Sequence, residues 1–332
     1  MAVVTRGYEA VDSVFAAAGF VPGRLSLRGA LDFISPLRLA RVLNRMEAPV
    51  VIHVHNFKDA FTAVRARSLM AHPENARVVV TRHLVKPAST RAAERDVYRR
   101  ADAIVFVSQT AYDAFMTTKP DCDPSRLSVI YNAVNVPADI APEAVPQGEV
   151  RLVFMGRLVP EKGVETLLDA IALLRDIPGV KLHIAGSGAP SYFQSLRNRA
   201  TTLGVADCVE WRGHMAGVWP LAASACVGVV PSVATEAFGL TAAEFMGCGV
   251  PVVASDRGGL AEVVTDGVDS LLVPAEQPAA FADAIRRLVT DRALRDRLGR
   301  AAAATVASRF NYSTFYNEIM AIYEGNDHTH TS

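Results

Sequence analysis

Short runs of valine, isoleucine and leucine recur along the chain. Between them lie longer stretches whose apolar residues return every three or four positions. The runs predict strands at 3–5, 50–55, 77–81, 103–107 and 127–131, and a second series at 151–155, 181–185, 209–212, 227–230, 252–254 and 270–273. Most runs are continuously apolar rather than alternating, as expected of strands covered on both faces. Such strands separated by helical patterns form parallel sheets from βαβ units. Two consecutive series predict an α/β chain of two doubly wound, Rossmann-like domains.

Residues 137–148 (PADIAPEAVPQG) are rich in proline and alanine and carry no periodicity, so they mark the junction. The expected domains are 1–140 and 150–310. Helices are expected at 164–176, 278–290, 291–308 and 312–323. The final aromatic helix, within 311–325, is expected to pack back on the first domain, and 327–332 forms a polar tail.

The length of 332 residues fits two domains, and a 50% hydrophobic composition with 22 glycines excludes a disordered or coiled-coil chain. Lysine plus arginine equal aspartate plus glutamate at 34 each, which argues against a dedicated nucleic-acid binder. The balance is uneven along the chain. Residues 24–100 hold 15 basic against 6 acidic residues, while 150–332 hold 16 against 19. Arg82, Lys86, Arg91, Arg95, Arg99 and Arg100 crowd one short segment, a candidate surface for an anionic partner or simply a solvated face. Cys122, Cys208, Cys226 and Cys248 show no metal-ligand spacing and are expected to be free thiols. No signal pattern and no membrane-length apolar run is visible, so the expectation is a cytoplasmic protein, at most peripheral at the inner face of the cell membrane.

Three segments carry candidate chemistry. The first, Gly156-Arg157-Leu158-Val159-Pro160-Glu161-Lys162-Gly163, leaves the end of one predicted strand and enters a helix. Carboxyl ends of parallel strands are where ligands bind. Two cations at a helix mouth suit a diphosphate, or else pair with Glu161 and Glu165. The second, Gly186-Ser187-Gly188, follows another strand but does not complete a dinucleotide fingerprint, because Ser191 stands where the third glycine belongs. In the third, Glu236 and Glu244 bracket Phe238-Gly239-Leu240-Thr241 at a predicted helix start. Amides there suit phosphate oxygens, and flanking carboxylates can accept from sugar hydroxyls; helix starts also favour acidic residues in general. Gly249-Val250-Pro251-Val252-Val253-Ala254-Ser255-Asp256 follows, with Gly258-Gly259.

In order and spacing, Gly-Arg-Leu-x-x-Glu-Lys-Gly, Glu-x7-Glu with its internal Phe-Gly-Leu, and Gly-x-Pro-Val-Val-Ala-Ser-Asp resemble the nucleotide-binding half of retaining glycosyltransferases of family 4, which have the GT-B fold. The resemblance implies two Rossmann-like domains facing across a cleft. It implies transfer of a sugar from a nucleotide diphosphate-sugar to an acceptor hydroxyl with retention, in bacterial surface polysaccharide or glycolipid assembly. Arg157 and Lys162 would hold the diphosphate. Glu236 would contact the transferred sugar and Glu244 the ribose. Gly156, Gly188, Phe238, Gly239, Leu240 and Thr241 would line the donor, with the base near Arg212, Gly213, His214 and Met215. No metal and no cofactor is implied, since two cations and a helix terminus can carry the leaving charge. Asp121-Cys122-Asp123 spells the metal signature of the other main glycosyltransferase fold but lacks its preceding apolar strand.

In the first half, His83 resembles the family's active-site histidine, while His53 and His55 suit core positions. Ser108, Gln109 and Asn132 are further candidates at strand ends. The family usually opens with a strand, a glycine-rich loop and a long helix. This sequence starts at what looks like the second strand, so the first domain is expected to lack that unit. The implied acceptor is a sugar, a polyol or a lipid-linked molecule, with an anionic membrane surface as a further partner and no nucleic acid. Two alternatives stay open: a sugar-nucleotide epimerase of the same fold, and a non-catalytic or truncated nucleotide-sugar-binding protein.

Overall fold

The structure is a computed structural model and describes residues 3–5, 9–25, 32–215 and 217–325. The expected polar tail at 327–332 lies outside the described residues, as do 1–2 and 6–8 on either side of the expected opening strand at 3–5. The chain divides into two compact units, one of residues 1–107, 111–130 and 318–332, the other of 108–110 and 131–317.

In the first unit, β1 (Val4–Thr5), α1 (Glu9–Ala17) and β2 (Gly23–Arg24) form a small parallel βαβ pair. Then come α2 (Ile34–Leu43), β3 (Val50–Val54), α3 (Phe57–Ser68), β4 (Ala76–Arg82), α4 (Ala92–Arg100), β5 (Ala103–Phe106), α5 (Gln109–Met116) and β6 (Leu127–Val129). Strands β3 to β6 make one parallel sheet in sequence order. Their apolar runs account for this. β5 is buried at every position and so needs cover on both faces, which crossover helices supply. Capping sets the helix starts. Asp32 accepts from the amides of Ile34 and Ser35 ahead of α2, and Asn56 accepts from Lys58 N at 3.0 Å ahead of α3.

The second unit runs β7 (Val150–Met155), α6 (Val164–Ala172), β8 (Val180–Ala185), α7 (Pro190–Thr202), β9 (Val209–Gly213), α8 (Trp219–Ala223), β10 (Val227–Val230), α9 (Leu240–Gly247), β11 (Val252–Ser255), α10 (Leu260–Val263), β12 (Leu271–Val273), α11 (Pro278–Thr290) and α12 (Arg292–Arg309); the last helix, α13 (Tyr312–Glu324), begins in this unit and from Glu318 on belongs to the first. Its six strands are all parallel, in the order β12-β11-β10-β7-β8-β9. From β7 the chain steps outward through β8 to β9, then returns to β10 and steps outward on the other side. The order therefore reverses between β7 and β10. A crevice opens at the carboxyl ends of two such strands, because their connections leave in opposite directions. Leu152, Phe154, Leu182 and Ile184 face one side of this sheet and pack on Leu167, Leu168 and Phe281 of α6 and α11.

Residues 137–148, which the sequence marks as a junction, are held by this second unit. Glu143 N donates to Pro220 O at 3.0 Å, and the buried Arg151 reaches Glu143, the carbonyl of Ala144 and Glu149.

Candidate functional site

The reversal between β7 and β10 brings together two segments 74 residues apart. Gly156 to Lys162 leaves the end of β7, and residues 231–239 leave the end of β10. Lys162 Nζ lies 2.5 Å from Glu236 Oε1, an oxygen that also accepts from Ser232 Oγ at 2.5 Å. Ser232 is fully buried, while Lys162 and Glu236 are about one-quarter and one-fifth exposed. The loops are stitched by backbone as well. Glu161 O accepts from Val233 N and Ala234 N at 2.9 and 3.1 Å, and Glu236 O accepts from Gly259 N at 2.8 Å. Gly163, with φ +69°, permits this approach, since a Cβ there would fall 2.0 Å from Pro231 O.

Arg157 is exposed, and its guanidinium has no hydrogen bond or ion pair among the described residues. Leu158 pairs with Gly188 in an isolated parallel bridge, so the glycine turn after β8 lies directly beside the Arg157 turn. Glu161 and Glu165 do not neutralise Lys162; Glu236 does. Gly239, with φ +107°, caps α9, and Leu240 and Thr241 are its first residues. Their amides have no intrahelical acceptor and are disposed to bind an anion. Phe238 is buried, with its ring edge-on to Phe310 at 5.3 Å. Glu244, one turn into α9, is half-buried. Its carboxylate has no partner among the described residues, and burial pushes its pKa up.

The Arg212 side chain, at the segment where the resemblance puts the base, is engaged inside the unit. Ile184 pairs with Trp211 and Ala185 with Gly213, so Arg212 is the extra residue of a bulge in β9. A bulge re-aims its side chain. The Arg212 guanidinium donates to Glu143 at 2.8 Å and lies 3.4 Å from His183 Nδ1, within the cluster around Arg151. Gly213, with φ +64°, and the exposed His214 continue from the bulge, and Met215 follows half-buried. Ser232 and the buried cluster of Glu143, Glu149, Arg151 and His183 were not singled out in the sequence. Ser232 lies four residues before Glu236 in the loop that leads into the Glu-x7-Glu motif, and that nearness in sequence is the one signal that could have found it. Glu262 is a further such residue. It accepts from Gln109 N, Thr110 N and Oγ1, and Tyr131 Oη at 2.5–3.0 Å, and so ties up the Gln109 turn.

In the first unit, three histidines stand at the ends of β3 and β4. His53 is locked by Thr81 Oγ1 at 2.7 Å and Tyr323 Oη at 2.6 Å. Burial, with His55 and His83 adding to it, drops its pKa to about 3, so it is a neutral structural histidine at ordinary pH. His83 is exposed, with Nε2 3.2 Å from His55 Nδ1 and the two rings stacked. A groove of about 640 Å³ runs along β3, lined among others by Val4, Leu39, Val42 and Ile52, and ends at His53, His55 and Asn56. Asp121 is bound by Arg95 and Arg99, and Asp123 caps Ser125. Among the described residues no group of three or more histidine, cysteine or acidic side chains is arranged to hold a metal ion.

A parallel six-stranded unit with Lys162 paired to Glu236 at its switch point, in a chain that holds a second parallel unit, defines a class of α/β folds built of two doubly wound domains. The chain belongs to the family-4 glycosyltransferases of GT-B fold: the Glycosyl transferases group 1 profile matches residues 135–305 and that of Glycosyltransferase Family 4 matches 2–137. A D-inositol 3-phosphate glycosyltransferase of Jonesia denitrificans is 32% identical over 300 residues, covering 85% of this chain and 67% of the relative. The chain spans between about half and two thirds of the length of the curated relatives of that name. The structure of Anabaena HepE in complex with UDP superposes with a TM-score of 0.84 at 21% identity, over 97% of this chain and 91% of that one. A glycosyltransferase from Rickettsia africae does so at 0.84 and 17%, over 98% and 90%. At these identities the structural likeness speaks for the fold alone.

Proposed function

We propose that the chain transfers a sugar from a nucleotide diphosphate-sugar to an acceptor hydroxyl with retention at the anomeric carbon. The observation that carries this reading is the meeting of Lys162 and Glu236 at the β7/β10 switch point, beside the unpaired Arg157 and the α9 N-terminus. An ammonium has three N–H donors. Glu236 takes one from Lys162, and two are free for phosphate oxygens. Arg157 adds a bidentate fork, and the α9 amides add fixed dipoles. Together they stabilise a departing diphosphate without calling on a metal. Glu244 accepts from the ribose.

One Glu236 oxygen already accepts two short hydrogen bonds, which blunts it as a nucleophile and favours same-face attack assisted by the leaving phosphate. UDP is the first nucleotide to try, because HepE has been solved with UDP and with UDP-glucose. A polyol or sugar phosphate, or a lipid-linked sugar of surface polysaccharide assembly, is the acceptor class, the first following the curated relatives' names.

The test is a thermal-shift screen of uridine, guanosine and adenosine diphosphate-sugars, followed by nucleotide release with and without acceptor. One nucleotide class is expected to stabilise the protein, and Arg157→Ala or Lys162→Ala to abolish the shift. Nucleotide release is expected to depend on acceptor. A shift unchanged in both variants sinks the site. Release without any acceptor points to an epimerase instead.

A further inference from the structure

The polar cluster around Arg151 closes on itself. Arg212 Nη2 donates to Glu143 Oε1 at 2.8 Å, and Arg212 Nη1 lies 3.4 Å from His183 Nδ1. His183 Nε2 lies 3.1 Å from Glu149 Oε1, which also accepts from Arg151 Nε at 2.6 Å. Arg151 Nη1 returns to Glu143 Oε2 at 3.5 Å. The five side chains thus form one ring across β7, β8 and β9. Two guanidinium groups balance two carboxylates. Burial holds His183 below its ordinary pKa, so the neutral imidazole donates from Nε2 to Glu149 and accepts at Nδ1 from Arg212. A fully paired ring of this kind fixes the orientation of each member. Side-chain exposure rises from 4% at Arg151 to 30% at Arg212, so the ring is rooted in the core and reaches the surface at Arg212.

Arg212 is also where the ring meets the carboxyl ends of the strands. It is the extra residue of the β9 bulge, and Gly213-His214 follows it. The turns after β7 and β8 are fixed by close contact. A Cβ at Gly186 would fall 1.8 Å from Gly156 O, and one at Gly188 would fall 2.0 Å from Leu158 O. The turn after β9 is different. A Cβ at Gly213 would meet nothing within 4 Å, so packing does not impose its φ of +64°. Its carbonyl accepts from Gly186 N at 2.7 Å, and the anchored Arg212 precedes it. The turn beside the expected base is therefore the one that hydrogen bonds must hold. Glu143 reaches the ring from the proline-rich segment 137–148, where its own N–H donates to Pro220 O at 3.0 Å.

We propose that Glu143 is a positioning residue for the nucleotide's base: acting through Arg212, it holds the Gly213-His214 turn in the shape that receives the base. This role rests on the donor reading above, and Glu143 lies outside every motif that supports that reading. Without Glu143, the Arg212 guanidinium keeps only its contact with His183, and the like charge of Arg151 nearby pushes it outward. The bulge relaxes and Gly213 turns with it. The contact with the base is lost in the ground state and the transition state alike, while Lys162 and the α9 amides still meet the diphosphate.

The full chain is titrated calorimetrically with uridine, guanosine and adenosine diphosphates, with inorganic pyrophosphate in competition as a probe that has no base. Glu143→Ala is expected to weaken the best-bound nucleoside diphosphate by about tenfold, the scale of one charge-assisted hydrogen bond, and to leave pyrophosphate unchanged. Glu143→Gln keeps the volume and one acceptor oxygen. Its expected loss is about threefold, and it carries the comparison if the alanine variant does not fold. In turnover, the donor KM is expected to rise while kcat holds, as for a contact made equally in both states. Arg212→Ala is expected to match Glu143→Ala, and the double variant to lose nothing further, because the two residues act in series. The proposal is overturned if the Glu143 variants bind the nucleoside diphosphate as the unaltered chain does. It is also overturned by an equal loss for pyrophosphate, which makes Glu143 a brace for the whole unit, or by additive losses in the double variant. If the unaltered chain binds no nucleoside diphosphate, the donor reading falls and this role falls with it; normal binding with an indifferent Glu143 overturns this role alone.

Discussion

Glu244 is a carboxylate held half-buried with nothing to bond it, and that arrangement has a sign. Its folded-state pKa is raised above the ordinary 4.5, so between those two values the native state holds more proton than the unfolded chain. Stability is therefore lost as pH rises through that window, and above it the carboxylate is a standing cost to the fold. Glu244→Gln is expected to raise the melting temperature at neutral pH while weakening nucleotide-sugar binding by about tenfold or more, the worth of one charge-assisted hydrogen bond. Melting curves with and without the nucleotide check both halves at once; a variant that melts lower alone and binds as well assigns Glu244 to packing. Lys162 has the opposite character, because its partner is already present. Lys162→Ala leaves Glu236 with Ser232 alone, and turnover is expected to fall by about 10²–10³, the scale of removing one preorganised stabiliser of developing charge. Steady-state kinetics check it, with the loss falling on kcat if Lys162 meets the leaving phosphate and on KM alone if it only gathers substrate.

The strength of the second unit's site lies in two turns that touch, and Gly163 is where they touch. Alanine there would keep a φ of +69° and drive its methyl into the Pro231 carbonyl, so the turn must shift. Gly163→Ala is expected to destabilise the second unit by about 2–4 kcal/mol and to weaken nucleotide binding beyond that, because Lys162 and Glu236 separate. Urea unfolding together with a nucleotide titration distinguishes this from simple loss of fold. The elements themselves were legible in the sequence. Strands such as 227–230 and 252–254 are continuous apolar runs buried at every position, and the runs locate them within a residue or so. β2 was not legible, since Gly23–Arg24 has neither length nor apolar character to mark it. In the site, the turn motifs showed which residues leave strand ends. They could not show which side chains are already engaged. Arg212 meets a glutamate 69 residues away through a bulge that no local pattern announces, and His53 meets a tyrosine 270 residues on.

Each unit also carries a histidine whose pKa burial lowers, His53 part-buried in the first and His183 buried in the second, and this gives the molecule an acid limit that can be read unit by unit. His53 falls to about 3 from an ordinary 6.5, chiefly through burial. His183, buried in the second unit between Glu149, Arg151 and Arg212, is lowered too, again chiefly by burial. For a depressed histidine the unfolded chain binds the extra proton. Stability is therefore complete above the ordinary value and is lost as pH falls below it, by up to about 1.4 kcal/mol per pH unit for each group. The two contributions separate optically, because both tryptophans, Trp211 and Trp219, belong to the second unit. Far-ultraviolet dichroism follows both units, whereas tryptophan fluorescence follows one. His53→Gln keeps a donor and an acceptor for Thr81 and Tyr323 but cannot take a proton. It is expected to flatten the pH dependence of the dichroism transition between about pH 6.5 and 4 while leaving the fluorescence transition on its original slope. If both transitions flatten together, the units unfold as one cooperative body and His53 reports on the entire chain. If neither flattens, His53 is protonated in the fold and its bonds to Thr81 and Tyr323 do not hold it neutral.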